Sequence, residues 1–164
     1  MRRRKPDPAA EAAADDPRAA RLAALKLLNR RDYGARELAG RLAERGFAAP
    51  AIEAAVTGLA AEKLLDDARF AEHFVAYHAN RGQGPVRIAH RLREAGVAPD
   101  TIDAALDAGS ADWRRRCEQA RRKRFGAKLP ESWAERGRQA RFLTQRGFSA
   151  AQVRAAVGGD LEED

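Results

Sequence analysis

The sequence predicts an all-α protein of three tandem three-helix repeat units in an elongated array, and three observations lead there. The first is composition: of 164 residues 34% are charged and only 6% aromatic, and Ala, Leu, Arg and Glu, all good helix formers, dominate. The second is periodicity, since β-branched residues are scarce and no useful run alternates apolar with polar positions as a half-buried strand would. The third is repetition. Residues 37–56 and 87–106 match at nine of twenty positions, among them Leu42/Leu92, Gly46/Gly96 and Ile52/Ile102, and a related stretch begins at Arg138. Units of about fifty residues bury little surface alone, so stacking copies extends one core from neighbour to neighbour.

The elements follow in order. Residues 1–16 carry Ala, Pro and charge without an apolar face and are expected to form a mobile N-terminal tail. Repeat 1 is assigned to residues 17–66. Its first helix starts at Pro17 and is expected to turn Leu22, Leu25, Leu28 and their Ala neighbours inward. Gly34 caps a second helix presenting Leu38 and Leu42. Gly46 stops that helix, because glycine enters the left-handed conformation without a Cβ penalty. Phe47 then packs back on the helix end. Pro50 sits in the first turn of a third helix, where a missing N–H costs little, and Ile52, Val56 and Leu59 face the core.

Repeat 2, residues 67–109, uses the same order. Asp67 is the expected N-cap of a helix with Phe70, Phe74 and Tyr77 inward. Gly84 and Pro85 restart the chain, and Gly96, Val97, Pro99, Ile102 and Leu106 reproduce the second half. Repeat 3, residues 110–159, opens on Ser110 as N-cap. Pro130 and Ser132 begin its longer middle helix, and Gly147, Phe148, Ser149, Val153 and Val157 complete it. Residues 160–164, "DLEED", form an acidic C-terminal tail.

Catalytic and metal chemistry find no footing. The only histidines are His73, His78 and His90, expected to be partly exposed, and with the single Cys117 they offer no zinc set. The only serines, Ser110, Ser132 and Ser149, stand as caps, and Cys117 reads as a small buried hydrophobe. "GQGPVR" has Arg87 where a dinucleotide fingerprint needs its third glycine, and no strand precedes it. The paired Asp66 and Asp67 begin a helix, which capping explains. The expectation is a protein that is not an enzyme, with no catalytic residues, cofactor or metal. With no secretory h-region or membrane-length apolar run, it is expected to be soluble and cytoplasmic, with no membrane partner.

The net charge of +7 is unevenly placed. Residues 20–67 carry a net +1 and residues 68–111 a net zero, whereas residues 112–159 hold 13 basic and 4 acidic side chains, a net +9. An acidic partner, nucleic acid first, is drawn to that third of the chain. Arg114, Arg115, Arg121, Arg122, Lys123 and Arg124 surround Trp113 and Phe125, with Arg114, Arg121 and Arg124 assigned to one face. Arg138 and Arg141 follow on the next helix at i, i+3. Few acids alternate with these bases, so intrahelical pairs cannot neutralise them. Arg69, Arg87 and Arg91 are the candidates from repeat 2.

"LLDDARFAEHFVAYHANRGQGPVRIAHRLREAGV" resembles the central segment of the RecX family, bacterial regulators of the RecA recombinase. Leu65, Asp66, Asp67, Arg69, Phe70, Gly82, Gly84, Pro85, Arg87, Ile88, Leu92 and Gly96 carry the match. "RRDYGARELAGRLAERGF" and "KRFGAKLPESW…RFLTQRGFS" resemble the family's first and third repeats, so the likeness spans residues 18–158. Gln83 departs from a commonly aromatic position, and Gly34 replaces a usual serine cap.

The resemblance implies a curved array of three-helix units that binds RecA–single-stranded DNA filaments. It implies restraint of filament growth, ATP hydrolysis and strand exchange, within DNA repair, recombination and the SOS response. The implied partners are the RecA filament and single-stranded DNA, with duplex DNA as a further ligand, for a monomer or weak homodimer. An alternative from another class is a free-standing DNA-binding protein of helix-turn-helix type. Against it, no expected second helix offers the Asn, Gln and Arg set for reading bases at its start.

Stacked repeats should give an elongated monomer, tested by small-angle scattering with mass measured alongside. The expected radius of gyration exceeds the ~15 Å of a compact chain of this length, and a value at that figure overturns the array.

Overall fold

Pro, Asp, Ser and Gly punctuate the helices of this chain in the computed structural model, which describes residues 13–108 and 112–159. Most of the expected N-terminal tail, Ser110 and the acidic residues 160–164 lie outside the described residues. Nine helices and no strand occur among the described residues. They are α1 (Pro17–Leu28), α2 (Ala35–Glu44), α3 (Ala49–Ala61), α4 (Asp67–Asn80), α5 (Pro85–Glu94), α6 (Pro99–Ala108), α7 (Trp113–Phe125), α8 (Trp133–Arg146) and α9 (Ala150–Ala156). Three trios follow one another along the chain. Two compact bodies form, one from residues up to Phe70 with Ala95–Val97, the other from Ala71–Glu94 with residues from Ala98 onward.

In the first body, Leu27, Leu38, Leu42, Ile52, Leu59 and Leu65 make the core. α1 packs chiefly on α3, where Ala20, Ala51 and Ala55 allow close approach. That approach sets the phase of α1, which buries Ala20, Ala24 and Leu27 and leaves Leu22 56% exposed. This corrects the inward placement of Leu22 alone: Leu25 and Leu28 pack against the core beside the covered alanines.

The paired aspartates divide their labour. Asp66, not Asp67, caps α4: its Oδ1 accepts from the Arg69 backbone N–H at 3.0 Å, a bond that holds the carboxyl below its usual range. Asp67 is the first residue of α4, and its Oδ1 accepts from the Ala35 backbone N–H at 2.7 Å. That bond caps α2, whose N-terminal Gly34 has no side chain to do so. A Cβ at Gly34 would stand 3.4 Å from the Phe70 ring, an ordinary packing distance.

In the second body α4 turns Ala71, Val75 and His78 inward, leaving Phe74 half-buried and Tyr77 54% exposed. Phe70 is buried as expected, so the stripe's departure from its inward placement is at Tyr77; the covered face turns toward Ala71, Val75 and His78. His78, expected to be partly exposed, is buried, and burial followed by the nearby Arg91 charge holds its pKa below the ordinary value. Cys117 is buried as expected, and burial pushes its thiol up to about 12. Asp112 precedes α7 without a side-chain cap, its carboxylate being paired with Arg115. Ser132 caps α8, and Ser149 with Gln152 forms a capping box on α9.

Gly46, Gly96 and Gly147 all sit at positive φ after a helix, at +89°, +81° and +91°. Two of them also serve close approach. A Cβ at Gly96 would lie 2.7 Å from the Arg36 Cβ, and one at Gly147 would lie 2.7 Å from the Arg87 backbone N. At Gly46 no described atom lies within 4 Å of that position. Gly84 meets Gly147 so closely that any Cβ would collide with its carbonyl. Across that contact the Gly84 N–H donates to Arg146 O at 2.8 Å and the Val86 N–H to Gly147 O at 3.0 Å. The open donors that begin α5 thus satisfy the open acceptors that end α8.

Alanine substitution separates the two roles. Gly46→Ala should cost about 1–2 kcal/mol, the left-handed penalty alone. Gly147→Ala should cost at least ~1 kcal/mol more, because Arg87 backbone must move. Urea denaturation of both variants checks this; equal losses would remove the close-approach role.

Candidate nucleic-acid interface

The third-repeat helices are written with bases on the outside and a core stripe beneath. α7 buries Trp113, Cys117 and Arg121, spaced four apart on one face. Arg121 therefore departs from the expectation that it faces a partner. Its residue is 1% exposed, and its guanidinium donates to Lys128 O at 2.8 Å, Ala127 O at 3.3 Å and Gln139 Oε1 at 3.5 Å. The segment after Gly126 folds back over the last turn of α7 and supplies those carbonyls. Arg121 is a staple for that segment, not a contact residue.

The flanks of the same stripe form a basic groove of two adjoining concavities that share Arg124 and Phe142. One, of ≈ 380 Å³, is lined by Asn80 and Arg81 at the end of α4, Arg116 and Lys123 on α7, and Arg146 on α8. The other, of ≈ 610 Å³, is lined by Phe125, Arg138, Arg141 and Gln145. Seven Arg and Lys side chains line the two, and no Asp or Glu does. Phe125 and Phe142 pack edge to face with centroids 5.3 Å apart. Arg124 and Arg138 lie 5.8 and 5.6 Å from the Phe125 centroid, and Arg146 lies 5.2 Å from that of Phe142. The rings hold like-charged guanidiniums apart and in place without neutralising them. A concave wall of one sign focuses the field on an anion.

The sequence candidates separate accordingly. Lys123, Arg124, Arg138 and Arg141 come together in the groove, and no ion pair among the described residues engages them. Arg122 pairs with Glu118 at 3.7 Å and Arg115 with Asp112. Arg114 lines a separate concavity with Arg154. The repeat-2 candidates serve packing. In the first body Arg69 faces Asp32 at 3.7 Å and donates to the Leu64 carbonyl at 3.3 Å. In the second, Arg87 donates to Gln145 O at 3.0 Å, and Arg91 donates to the His78 ring at 3.2 Å. Sequence reasoning misses Arg81, Arg116 and Arg146. Arg116 and Lys123 are seven apart, and Arg138, Arg141, Gln145 and Arg146 share a helical face, so that spacing is the available signal.

Among the described residues no three His, Cys, Asp or Glu side chains gather to hold a metal, and no helix is long and apolar enough to cross a membrane. Family models of the RecX first, second and third three-helix domains match residues 20–59, 66–106 and 114–157. The regulatory protein RecX of Halorhodospira halophila is 49% identical over 146 residues, covering 89% of this chain and 91% of its own. That of Ectopseudomonas mendocina is 39% identical over 145 residues, covering 88% and 97%. In fold, the crystal structure of RecX from Lactobacillus salivarius superposes with a TM-score of 0.75 at 20% identity, covering 88% of this chain and 96% of that one.

Arg121 and Arg122 are neighbours in sequence with opposite expected behaviour. Arg121→Ala leaves buried carbonyls unpaired and should destabilise by about 2–4 kcal/mol. Arg122→Ala should stay within about 0.5 kcal/mol. Thermal melts of both variants check this, and equal effects would remove the staple.

Proposed function

The chain belongs to the RecX family, and from that premise we propose that it regulates homologous recombination by binding RecA–single-stranded DNA filaments and restraining their growth, ATP hydrolysis and strand exchange. The observation that carries the reading is the groove in which Lys123, Arg124, Arg138 and Arg141 converge without a carboxylate. A filament on a single strand presents a regular row of phosphodiesters. Arginine forks suit such oxygens, and carboxylate-free walls leave the field unquenched. On this reading the protein acts in the cytoplasm as a regulator, monomeric or weakly dimeric, without chemistry of its own.

The test is a filament-assembly assay together with DNA retention, each with and without RecA and ATP. Arg138→Glu with Arg141→Glu should weaken inhibition and retention together while helicity stays unchanged. Each phosphate that the variant no longer neutralises should flatten the log–log salt dependence by about 0.7 for a single strand. Wild-type inhibition by the double variant across a salt titration overturns the groove as the working surface. Sequence-specific duplex binding independent of RecA would establish the helix-turn-helix alternative instead.

A further inference from the structure

The concavity between the end of α4, α7 and α8 differs in kind from the rest of the groove. Its floor is small and apolar, made by Ala79, Ala120 and one side of Phe142. Gly82, at φ +75°, turns the chain tightly there, and a Cβ on it would already stand 3.9 Å from the Ala120 Cβ. The rim is cationic and partly fixed in advance. Arg116 donates to Asn80 Oδ1 at 3.0 Å, which leaves the Asn80 amide nitrogen as a donor. The Arg116 Nε is buried and has no hydrogen-bond partner among the described residues. Arg81 is held across the Tyr77 ring at 4.5 Å, and Arg146 over Phe142 at 5.2 Å.

A volume of ≈ 380 Å³ falls in the size range of small-molecule sites, roughly 300–1,000 Å³. An apolar floor beside planar guanidiniums accepts the face of an unstacked base. A rim of point and fork charges accepts its phosphate. A duplex offers phosphates but no unstacked base face, because its bases are stacked inside the rod.

We propose that this concavity is a one-nucleotide site, taking the phosphate on Arg81, Arg116 and Lys123 and the base over the Ala120–Phe142 floor. The nucleotide is either one unit of a single strand or a free nucleoside polyphosphate. The strand case deepens the reading of the groove as a filament contact and rests on it; the free-nucleotide case does not.

Binding to the full chain is measured by calorimetry and by anisotropy of a labelled oligothymidylate, without RecA. The probes are the oligomer, deoxyadenosine triphosphate and inorganic triphosphate. Arg81→Gln with Lys123→Gln alters two exposed side chains, neither held by an ion pair among the described residues. It should weaken the nucleotide-bearing probe by roughly tenfold or more, as loss of charge-assisted bonds implies. Arg114→Gln with Arg154→Gln should leave deoxyadenosine triphosphate affinity within about twofold, since those residues line a separate concavity that shares no residue with this one. Arg81→Lys with Lys123→Arg should retain binding. Competition between triphosphate nucleotide and oligomer identifies the free nucleotide as a ligand; oligomer binding that depends on Arg81 and Lys123 alone identifies the strand unit. Equal binding of inorganic triphosphate and the nucleotide, or wild-type affinity in the Arg81/Lys123 variant for both nucleotide probes, overturns the site. Because no RecA is present, a failed filament assay and a failed nucleotide site give separate results.

Discussion

Nothing larger than hydrogen fits between Gly84 and the carbonyl of Gly147. This backbone-to-backbone meeting fixes the basic groove of the second body. On one side of it the chain has just left Asn80 and Arg81; on the other it has just left Gln145 and Arg146. Three carbonyls at the end of α8 are spoken for there: Gln145 by the Arg87 guanidinium, Arg146 by the Gly84 N–H and Gly147 by the Val86 N–H. The position of the Arg138–Arg146 face relative to the end of α4 is therefore set by hydrogen bonds to backbone carbonyls, two of them from backbone donors. Loosening that junction changes the groove even though no cation of the groove takes part in it through its side chain.

The first body solves the corresponding problem with different atoms. Gly96 receives the first turn of α2 at Arg36, as Gly147 receives the first turn of α5 at Arg87. The N-terminus of α2 is capped by Asp67 from α4, where that of α5 is met by carbonyls from α8. Gly46 has much the same φ as its counterparts and no described residue against it. One glycine position in the sequence repeat thus carries two constraints. Conformation applies at every copy, and close approach applies only where the preceding repeat supplies a helix start. The "LLDDARF" segment gains a physical meaning from this. One aspartate serves its own helix, the other serves an earlier helix, and Arg69 ties down the turn at Lys63 and Leu64 that leads into both.

Helix ends and glycine turns are legible in the sequence because their causes are local: a cap, a proline, a forbidden φ. Helix phase is less so. Periodicity marks an apolar stripe about 100° wide, and alanines within it read ambiguously. On α1 and α4 the alanine-bearing edge is the buried one, which puts Leu22 and Tyr77 outside. The charge concentration in residues 112–159 locates the right third of the chain, yet it cannot sort its members. Arg121 lies on the face of Trp113 and Cys117, but what lets a cation stay there is residues 127–128 folding back over it, a contact no helical wheel contains. Arg81 is hidden for the complementary reason. It belongs to a near-neutral repeat and enters the groove through the turn at Gly82.

Arg121 also shows what the groove requires of its surroundings. A buried guanidinium ordinarily sits against a carboxylate, since an uncompensated charge in the interior is costly. Here its partners are two main-chain carbonyls and the amide oxygen of Gln139. A glutamate at that position would pair with the cation more strongly. It would also place a negative charge on α8, one residue from Arg138 and two from Arg141, under the wall that an anion has to approach. In a region of low dielectric that charge would oppose the field over several ångströms. Neutral acceptors take the two terminal nitrogens of the guanidinium, its Nε having no hydrogen-bond partner among the described residues, and they leave its positive charge unquenched. Choosing carbonyls and an amide over a carboxylate exchanges some stability in the α7–α8 staple for potential in the groove, the same exchange made by lining that groove with seven cations and no acid.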